Sequence, residues 1–331
     1  MKVNNLQISY SKGMFKSGAD PFHHASVGGT RFRGPRLIGV EGNQGTTNFT
    51  GPGGANFFAL NISTGGRFLG WADVATGSDA SLSSGNRAIS QCWGNPPGDP
   101  SINFRYKQYA YPEGFSLDFG NLQQARSSGT GMTDGQRGLY TNGEPNPGIT
   151  DRDFFSLTHT GNAIDFNEDS HNRYGLKSGN DGAHSVATGG YSGGTTTNMS
   201  KTNMQTMASS SDFGELTYSS YVGGGADTHF GGRGFHFGGG WPGGQDTINV
   251  YNIQSASGGG TDFGELGRNC IGVGFGNDGS RAVLWQGNAT TVDPGPGIYS
   301  TMKFFNMNVL ADAVDFGWCQ QGHRGHDAPS G

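Results

Sequence analysis

The feature that most constrains this chain is an internal repeat of about fifty residues. The triplet Asp-Phe-Gly recurs four times, and Asp165-Phe166-Asn167 is a near copy of it. Degenerate copies at Asp20-Pro21-Phe22 and Phe68-Leu69-Gly70 continue the series toward the N-terminus, so anchors fall near 20, 68, 118, 165, 212, 262 and 315. The four complete triplets are Asp118-Phe119-Gly120, Asp212-Phe213-Gly214, Asp262-Phe263-Gly264 and Asp315-Phe316-Gly317.

A basic residue follows most anchors by about nineteen positions and sets the register within each repeat. A turn pair such as Asp134-Gly135 or Asp278-Gly279 precedes it, which favours a two-residue hairpin. Apolar residues then alternate with a period of two, and an aromatic segment precedes the next anchor, so each repeat predicts a meander of short strands. The basic positions are Arg36, Arg87, Arg137, His184, Arg233 and Arg281.

Repeats of this length are typical of the blades of a propeller. Six complete units lie between the first and last anchors, and the two ends supply complementary pieces, a strand at residues 6–10 and another at residues 318–320. We therefore expect an all-β chain that forms a single β-propeller domain over residues 1–331. It would have seven blades, the last shared between the termini; six blades is the alternative.

Composition supports this fold class. Glycine contributes 62 of 331 residues, which excludes long helices because each helical glycine costs about 1 kcal/mol. Aromatic residues make up 11% of the chain and charged residues 14%, the opposite of the composition of disordered proteins. The net charge is −5 and no basic run is present, so nucleic acid is not an expected partner.

Targeting and cofactor signals are also weak. The first ten residues contain no apolar signal segment, and no apolar stretch is long enough to span a membrane, so we expect synthesis in a host cytoplasm without membrane insertion. Cys92, Cys270 and Cys319 form no paired motif, and the nine histidines show no metal-binding spacing. We expect buried thiols, no metal and no cofactor.

The repeat resembles two known families. Units near fifty residues with strands ending in glycine resemble Kelch-type propeller repeats. Residues 160–166 and 260–266 resemble the Asp-Phe-Gly-x-Leu repeats of structural proteins of marine bacteriophages, including cyanophages. This second resemblance implies a virion protein, such as a fibre, a knob or a neck or tail appendage, in a symmetric assembly with other virion proteins.

The repeated residues are expected to serve the scaffold. An aspartate can accept backbone N–H groups at a corner, a phenylalanine can fill the wedge between blades, and a glycine can take a positive φ. The recurring arginine would brace neighbouring blades through carboxylate or carbonyl contacts.

Two other functions stay open. The scaffold could be the receptor- or glycan-binding head of a tail fibre, with Tyr106, Tyr109, Tyr111 and Trp241 as binding residues, helped by glycine-rich loops at 193–198, 240–244 and 287–297. Residues 210–218 resemble the Asp-box of sialidases, so a sialidase-like glycoside hydrolase is the alternative from another class; a copper oxidase of the galactose oxidase kind is less supported still. We expect a non-enzymatic protein without catalytic residues.

Overall fold

The computed structural model describes a chain built from β-strands. It covers the strands at 36–40, 56–61, 69–73, 78–83, 87–92 and 103–108. It then covers residues 117–318 except 125, 127, 144–148, 207, 229–230, 241–242, 273, 278, 286–287, 290–296 and 299–300. Every regular element in these residues is a β-strand, which confirms the all-β prediction.

The strands form six antiparallel meanders, which we number I to VI in chain order. We call the four successive strands of a sheet A to D; sheet I contains three described strands, equivalent to B, C and D. Sheets I to III are β1 (Arg36–Val40), β2 (Asn56–Asn61), β3 (Leu69–Asp73); β4 (Ser78–Ser83), β5 (Arg87–Cys92), β6 (Asn103–Gln108), β7 (Leu117–Asn121); and β8 (Thr130–Thr133), β9 (Arg137–Thr141), β10 (Ile149–Ser156), β11 (Ile164–Arg173).

The last three sheets follow the same plan. Sheet VI also carries a small hairpin, β22 with β23, between its B and C strands. The strands are β12 (Lys177–Asn180), β13 (His184–Thr188), β14 (Thr196–Asn203), β15 (Ser211–Ser220); β16 (Gly224–Asp227), β17 (Arg233–Phe237), β18 (Gln245–Asn252), β19 (Thr261–Cys270); and β20 (Gly274–Asn277), β21 (Arg281–Trp285), β22 (Asn288–Ala289), β23 (Gly297–Ile298), β24 (Thr301–Asn306), β25 (Val314–Trp318).

Consecutive sheets meet through their A strands. β4 lies against β8, β8 against β12, β12 against β16 and β16 against β20. β1 of sheet I lies against β20 of sheet VI. The A strands β8, β12 and β16 are buried along their whole length. Four-stranded meanders that meet along their first strands are compatible with a β-propeller.

The Asp-Phe-Gly triplet lies inside the D strand, which differs from the expected corner. In sheet IV, Met199 pairs with Gly214 and Ser200 pairs with Asp212, so Phe213 is the extra residue of a β-bulge. In sheets II, IV and V the Phe and the Leu of the motif lie on the same buried side, although they are three residues apart. The buried pairs are Phe119 and Leu122, Phe213 and Leu216, and Phe263 and Leu266.

The phenylalanines of the motif pack against the next sheet. The ring of Phe119 lies edge-on to Phe155 of sheet III, with centroids 5.8 Å apart. Phe213 meets Tyr251 at 6.4 Å, and Phe263 meets Phe305 at 6.0 Å. Phe155, Tyr251 and Phe305 occupy equivalent places in their C strands. Phe166 is also buried, whereas Phe316 of sheet VI is partly exposed beside Phe304.

The glycine of the motif lets the following sheet reach the D strand. Gly214 has a φ of 140°, and a Cβ there would lie 1.5 Å from the carbonyl oxygen of Gly258 in the C–D loop of sheet V. That loop donates backbone hydrogen bonds from Gly258 to Phe213 O (2.6 Å) and from Gly260 to Glu215 O (2.7 Å). The loop thereby covers an otherwise unpaired strand edge. Equivalent bonds join Gly161 to Phe119, Ala163 to Asn121, Ser210 to Glu168, and Ala313 to Glu265.

The aspartate of the motif fixes the bulge locally. Asp262 Oδ1 accepts a hydrogen bond from Gly264 N at 3.1 Å, and Asp165 Oδ1 accepts one from Asn167 N at 2.8 Å. Asn167 replaces the glycine of this copy and has a φ of 93°, a region that asparagine tolerates better than most residues. The remaining triplet residues, Asp118, Gly120, Asp315 and Gly317, lie at the same places of β7 and β25.

Strand pairing in sheet I places one degenerate anchor later than the sequence spacing predicted. Phe58 pairs with Gly70 in sheet I as Lys303 pairs with Asp315 in sheet VI. The copy of the triplet in sheet I is therefore Gly70-Trp71-Ala72, two residues later than Phe68-Leu69-Gly70. The first anchor at 20 lies outside the described residues.

Candidate functional site

The B–C loops and the D-to-A connections lie at one end of the sheets, because neighbouring strands of a meander run in opposite directions. We call this end the corner face. Loops carried on a rigid scaffold are the usual place for binding residues. The described parts of the corner face include the B–C loop 189–195 of sheet IV and the connections 174–176 and 221–223.

Three tyrosine rings meet on the corner face and form a cluster that we call the tyrosine trio. Tyr174 and Tyr221 follow the D strands of sheets III and IV, and Tyr191 belongs to the B–C loop of sheet IV. The Tyr191 centroid lies 5.3 Å from that of Tyr174 and 5.6 Å from that of Tyr221, while Tyr174 and Tyr221 are 5.7 Å apart. Tyr174 and Tyr191 also exchange two backbone hydrogen bonds, of 3.1 and 2.8 Å. All three side chains are partly exposed.

Backbone hydrogen bonds between successive connections hold the trio in place. Gly175 N donates to Ser128 O (2.6 Å), Val222 N to Gly175 O (2.9 Å) and Gly272 N to Val222 O (2.8 Å). The four residues take φ values between 58° and 68°, so each connection turns in the same left-handed way. Tyr221 packs directly on Gly175, where a Cβ would lie 2.3 Å from its ring. The rings are therefore fixed by three consecutive sheets.

The loop that carries Tyr191 is open and uncharged. Residues 190–198 contain only Gly, Tyr, Ser, Thr and Asn. A Cβ added to Gly193 or Gly194 would meet no atom within 4 Å. The loop therefore leaves space beside the trio.

None of the four predicted binding residues is a member of the tyrosine trio. Tyr106 lies in β6, but its side chain, like Tyr109, Tyr111 and Trp241, is outside the described residues. These four remain predictions. Gly240, which precedes Trp241, donates a hydrogen bond to Tyr221 O at 3.0 Å.

The sequence nevertheless contained signals for the trio. Tyr174 and Tyr221 are one repeat interval apart, and Tyr191 stands next to the loop flagged at 193–198.

The repeated basic residues begin the B strands and make two kinds of contact. Arg137 Nε pairs with Asp134 Oδ2 at 2.7 Å, so this arginine supports its own hairpin turn and not a neighbouring sheet. Arg233 Nη1 donates to Met307 O of sheet VI at 3.3 Å, the type of brace expected from the sequence. Arg281 is partly buried, and the side chains of Arg36 and Arg87 are outside the described residues.

Sheet III carries an acidic pocket of about 290 Å³ between its C and D strands and the connection from sheet II. Asp151 pairs across the strands with Glu168, and Asp153 pairs with Asp165, so two pairs of like charges face each other. Burial raises the pKa of Asp153, although Arg126 Nη2 lies 3.2 Å from its carboxylate.

In other sheets the register partner of the motif aspartate is basic or uncharged: Arg105 and Lys303 pair with Asp118 and Asp315. Ser200 and Asn249 pair with Asp212 and Asp262. The acidic pocket is therefore a local departure from the repeat. It has the wrong sign for an anionic sugar such as a sialoside. Within the described residues, no group of three or more His, Cys, Asp or Glu side chains is arranged to hold a metal ion.

A buried Ser–His contact lies between sheets IV and V. His236 Nε2 is 2.6 Å from Ser220 Oγ, and Nδ1 is 2.7 Å from Thr188 Oγ1. Burial lowers the pKa of His236 to about 3, so the ring is neutral near pH 7. Ser220 Oγ donates to Gly238 O at 3.1 Å, which leaves Nε2 as the donor to Ser220. A hydrolytic serine needs the opposite direction of proton transfer, so this contact is a packing contact.

The segment that resembles an Asp-box is also used in packing. Tyr218 is partly buried, and its hydroxyl lies 3.0 Å from the carbonyl oxygens of Gly238 and Thr247 of sheet V. Burial raises the pKa of Tyr218, which opposes a role as a nucleophile. The buried thiol of Cys270 has a pKa raised to about 12, again mainly by burial.

The comparisons with known proteins add no relative: no family model and no curated protein matches this chain. In the part of the chain that the structure describes, no helix has the length and apolar character needed to cross a membrane.

Proposed function

We propose that the six sheets form a closed six-bladed β-propeller. The support is the contact between β1 and β20, the B strand of sheet I and the A strand of sheet VI. Sheets IV and V have the same relation, with β17 lying against β12. A seventh blade would have to stand between β1 and β20. A crystal structure viewed along the ring axis would count the blades, and seven sheets in the ring would overturn the proposal.

The function that we propose for this ring is that of a non-enzymatic structural and attachment module of a bacteriophage particle. The observation that carries it is the use of the repeated motif: Phe213 fills the space between sheets IV and V, while Gly214 admits the loop that hydrogen-bonds to its strand. The repeat is thus devoted to holding the ring together. A scaffold of this kind presents its loops rigidly, as a particle component requires.

The link to a virion comes from the resemblance of the Asp-Phe-Gly-x-Leu motif to phage structural proteins. Contacts with other virion proteins would anchor the module on the particle. The corner face, with the tyrosine trio, would then point toward the host, which favours the attachment role over a purely internal position.

Immunogold electron microscopy of purified phage particles tests this function. Antibodies raised against the full chain should label a defined place on intact particles at a constant copy number. Chain found only in the soluble fraction of the infected-cell lysate, with particles unlabelled and free of its peptides by mass spectrometry, would contradict a virion role.

A further inference from the structure

We propose that the tyrosine trio is a binding site for a neutral carbohydrate. This inference rests on the attachment function above and names the ligand class of the corner face. A sugar ring offers C–H groups on its faces and hydroxyl groups on its rim, and a partly exposed tyrosine matches both with its ring and its phenol. Tyr174, Tyr191 and Tyr221 place three such rings within 5.7 Å of one another.

The trio is organised before any ligand arrives. Tyr191 is tied to Tyr174 by two backbone hydrogen bonds, and Tyr221 is seated on Gly175. The bond from Val222 N to Gly175 O joins the two connections that carry Tyr174 and Tyr221. Because little ordering entropy is lost on binding, a small ligand with few contacts can still bind measurably.

The charge around Tyr191 selects the ligand class. Residues 190–198 carry no ionisable group apart from the Tyr191 phenol and offer only hydroxyl, amide and backbone groups. A sialic acid, phosphate or sulfate group would leave water and find no exposed cation in this loop. The guanidinium of Arg173 hydrogen-bonds to Gly189 O from beneath the loop, but this side chain is fully buried. A neutral saccharide satisfies the same hydroxyl and amide groups without that cost.

The surface fits a saccharide better than a protein. Stable protein interfaces usually bury more than 1,000 Å² around a core enriched in Arg, Met and aromatic residues. The loop beside Tyr191 has glycines at 193 and 194, with open space around both, and residues 190–198 include no Arg, Met or aliphatic side chain larger than Thr. Only the three rings offer substantial apolar contact, which matches one or two sugar units.

Binding of the full chain to a printed array of neutral, sialylated and phosphorylated oligosaccharides tests the proposal. We expect binding to neutral members, with an affinity reduced by about tenfold or more in Tyr191→Ala. Gly194→Trp adds a bulky side chain where a Cβ meets no atom within 4 Å, so it should fold normally and reduce binding as well. Leu310→Ala is the matched control, because Leu310 is 72% exposed on a C–D loop at the opposite end of the sheets.

Each outcome decides the matter. Neutral-sugar binding that is lost in both corner-face variants and kept in the control supports the site. Binding to no neutral oligosaccharide, binding only to charged ones, or binding unchanged in Tyr191→Ala and Gly194→Trp overturns it. Capture of a purified host surface protein stripped of glycans, abolished by the same variants, would assign the trio to a protein partner instead. If particles carry the chain but it binds no sugar, this inference fails while the virion function stands.

Discussion

His236 should make the protein less stable in mild acid. The ring is 1% exposed, and both of its nitrogens contact hydroxyl groups of neighbouring strands. Burial, reinforced by the positive charges of Lys177 and Arg173, lowers the pKa of His236 to about 3. An unfolded chain would have a histidine pKa of about 6.5.

The sign and size of the effect follow from linkage. A histidine with a lowered pKa in the folded state stabilises the protein above pH 6.5, and this contribution is lost as the pH falls from 6.5 toward 3. At pH 5 the loss is about 2 kcal/mol. This figure is nearly the same for any folded-state pKa between about 3 and about 4, because at pH 5 it is set almost entirely by protonation of the unfolded chain.

Urea denaturation of the wild type and of His236→Gln at pH 8 and pH 5 measures the effect. The glutamine keeps an amide near Ser220 and Thr188 but does not titrate. The wild type should lose about 2 kcal/mol more unfolding free energy than the variant between these pH values. His159→Gln, in an exposed loop, controls for the loss of one histidine. Parallel losses in wild type and His236→Gln would refute the assignment of a buried neutral ring.

Four further substitutions test how the sheets are held together, all measured by urea denaturation. Val222→Gly should stabilise by about 1 kcal/mol, because a β-branched residue at a φ of 58° is strained; a destabilised variant would show that side-chain packing of Val222 outweighs strain. Gly214→Ala should cost about 3 kcal/mol through the clash with Gly258 O, whereas Asn167→Gly should cost little; equal effects would contradict the role given to the motif glycine. Arg173→Met should cost about 3 to 5 kcal/mol by leaving the buried carboxylate of Asp169 without its cation and two carbonyl groups without a donor, and a neutral result would mean that these groups find other partners.

The strand order of each repeat was predictable because it depends on local chemistry. Asp134 Oδ1 accepts hydrogen bonds from the backbone of Gln136 and Arg137, as a tight hairpin turn requires. Leu139, two residues after the arginine, is buried as the period of two predicts. These features recur at a fixed spacing, so each copy strengthened the interpretation of the others.

The place of the Asp-Phe-Gly motif could not be predicted in the same way. Phe213 and Leu216 are three residues apart and would face opposite sides of a regular strand. The bulge at Phe213 removes this conflict, but a bulge depends on pairing with Met199 and Ser200, which the local sequence does not reveal. The sequence alone therefore predicted that the motif forms a corner between strands.

The tyrosine trio shows a second limit of prediction from the sequence. Tyr191 meets Tyr174 and Tyr221 only because the B–C loop of one sheet lies between the connections that flank it. The residues that recur along the sequence identify the scaffold. The candidate site arises where the B–C loop of sheet IV departs from the repeat. The geometry of the site depends on how three sheets pack together.

The packing between sheets explains why such departures are tolerated. Arg152 occupies the C-strand place that Met199 and Ile248 fill in the next two sheets, yet it is fully buried and donates to Thr202 and Ala208 of sheet IV. Burial lowers the pKa of Arg152 to about 10, so the arginine remains charged at neutral pH. Backbone hydrogen bonds from the C–D loops of sheets III to VI join each of these sheets to the one before it, whatever side chain fills this place. Because the sheets are joined largely through their backbones, side chains between sheets and in the corner-face loops can change chemistry without loss of the fold.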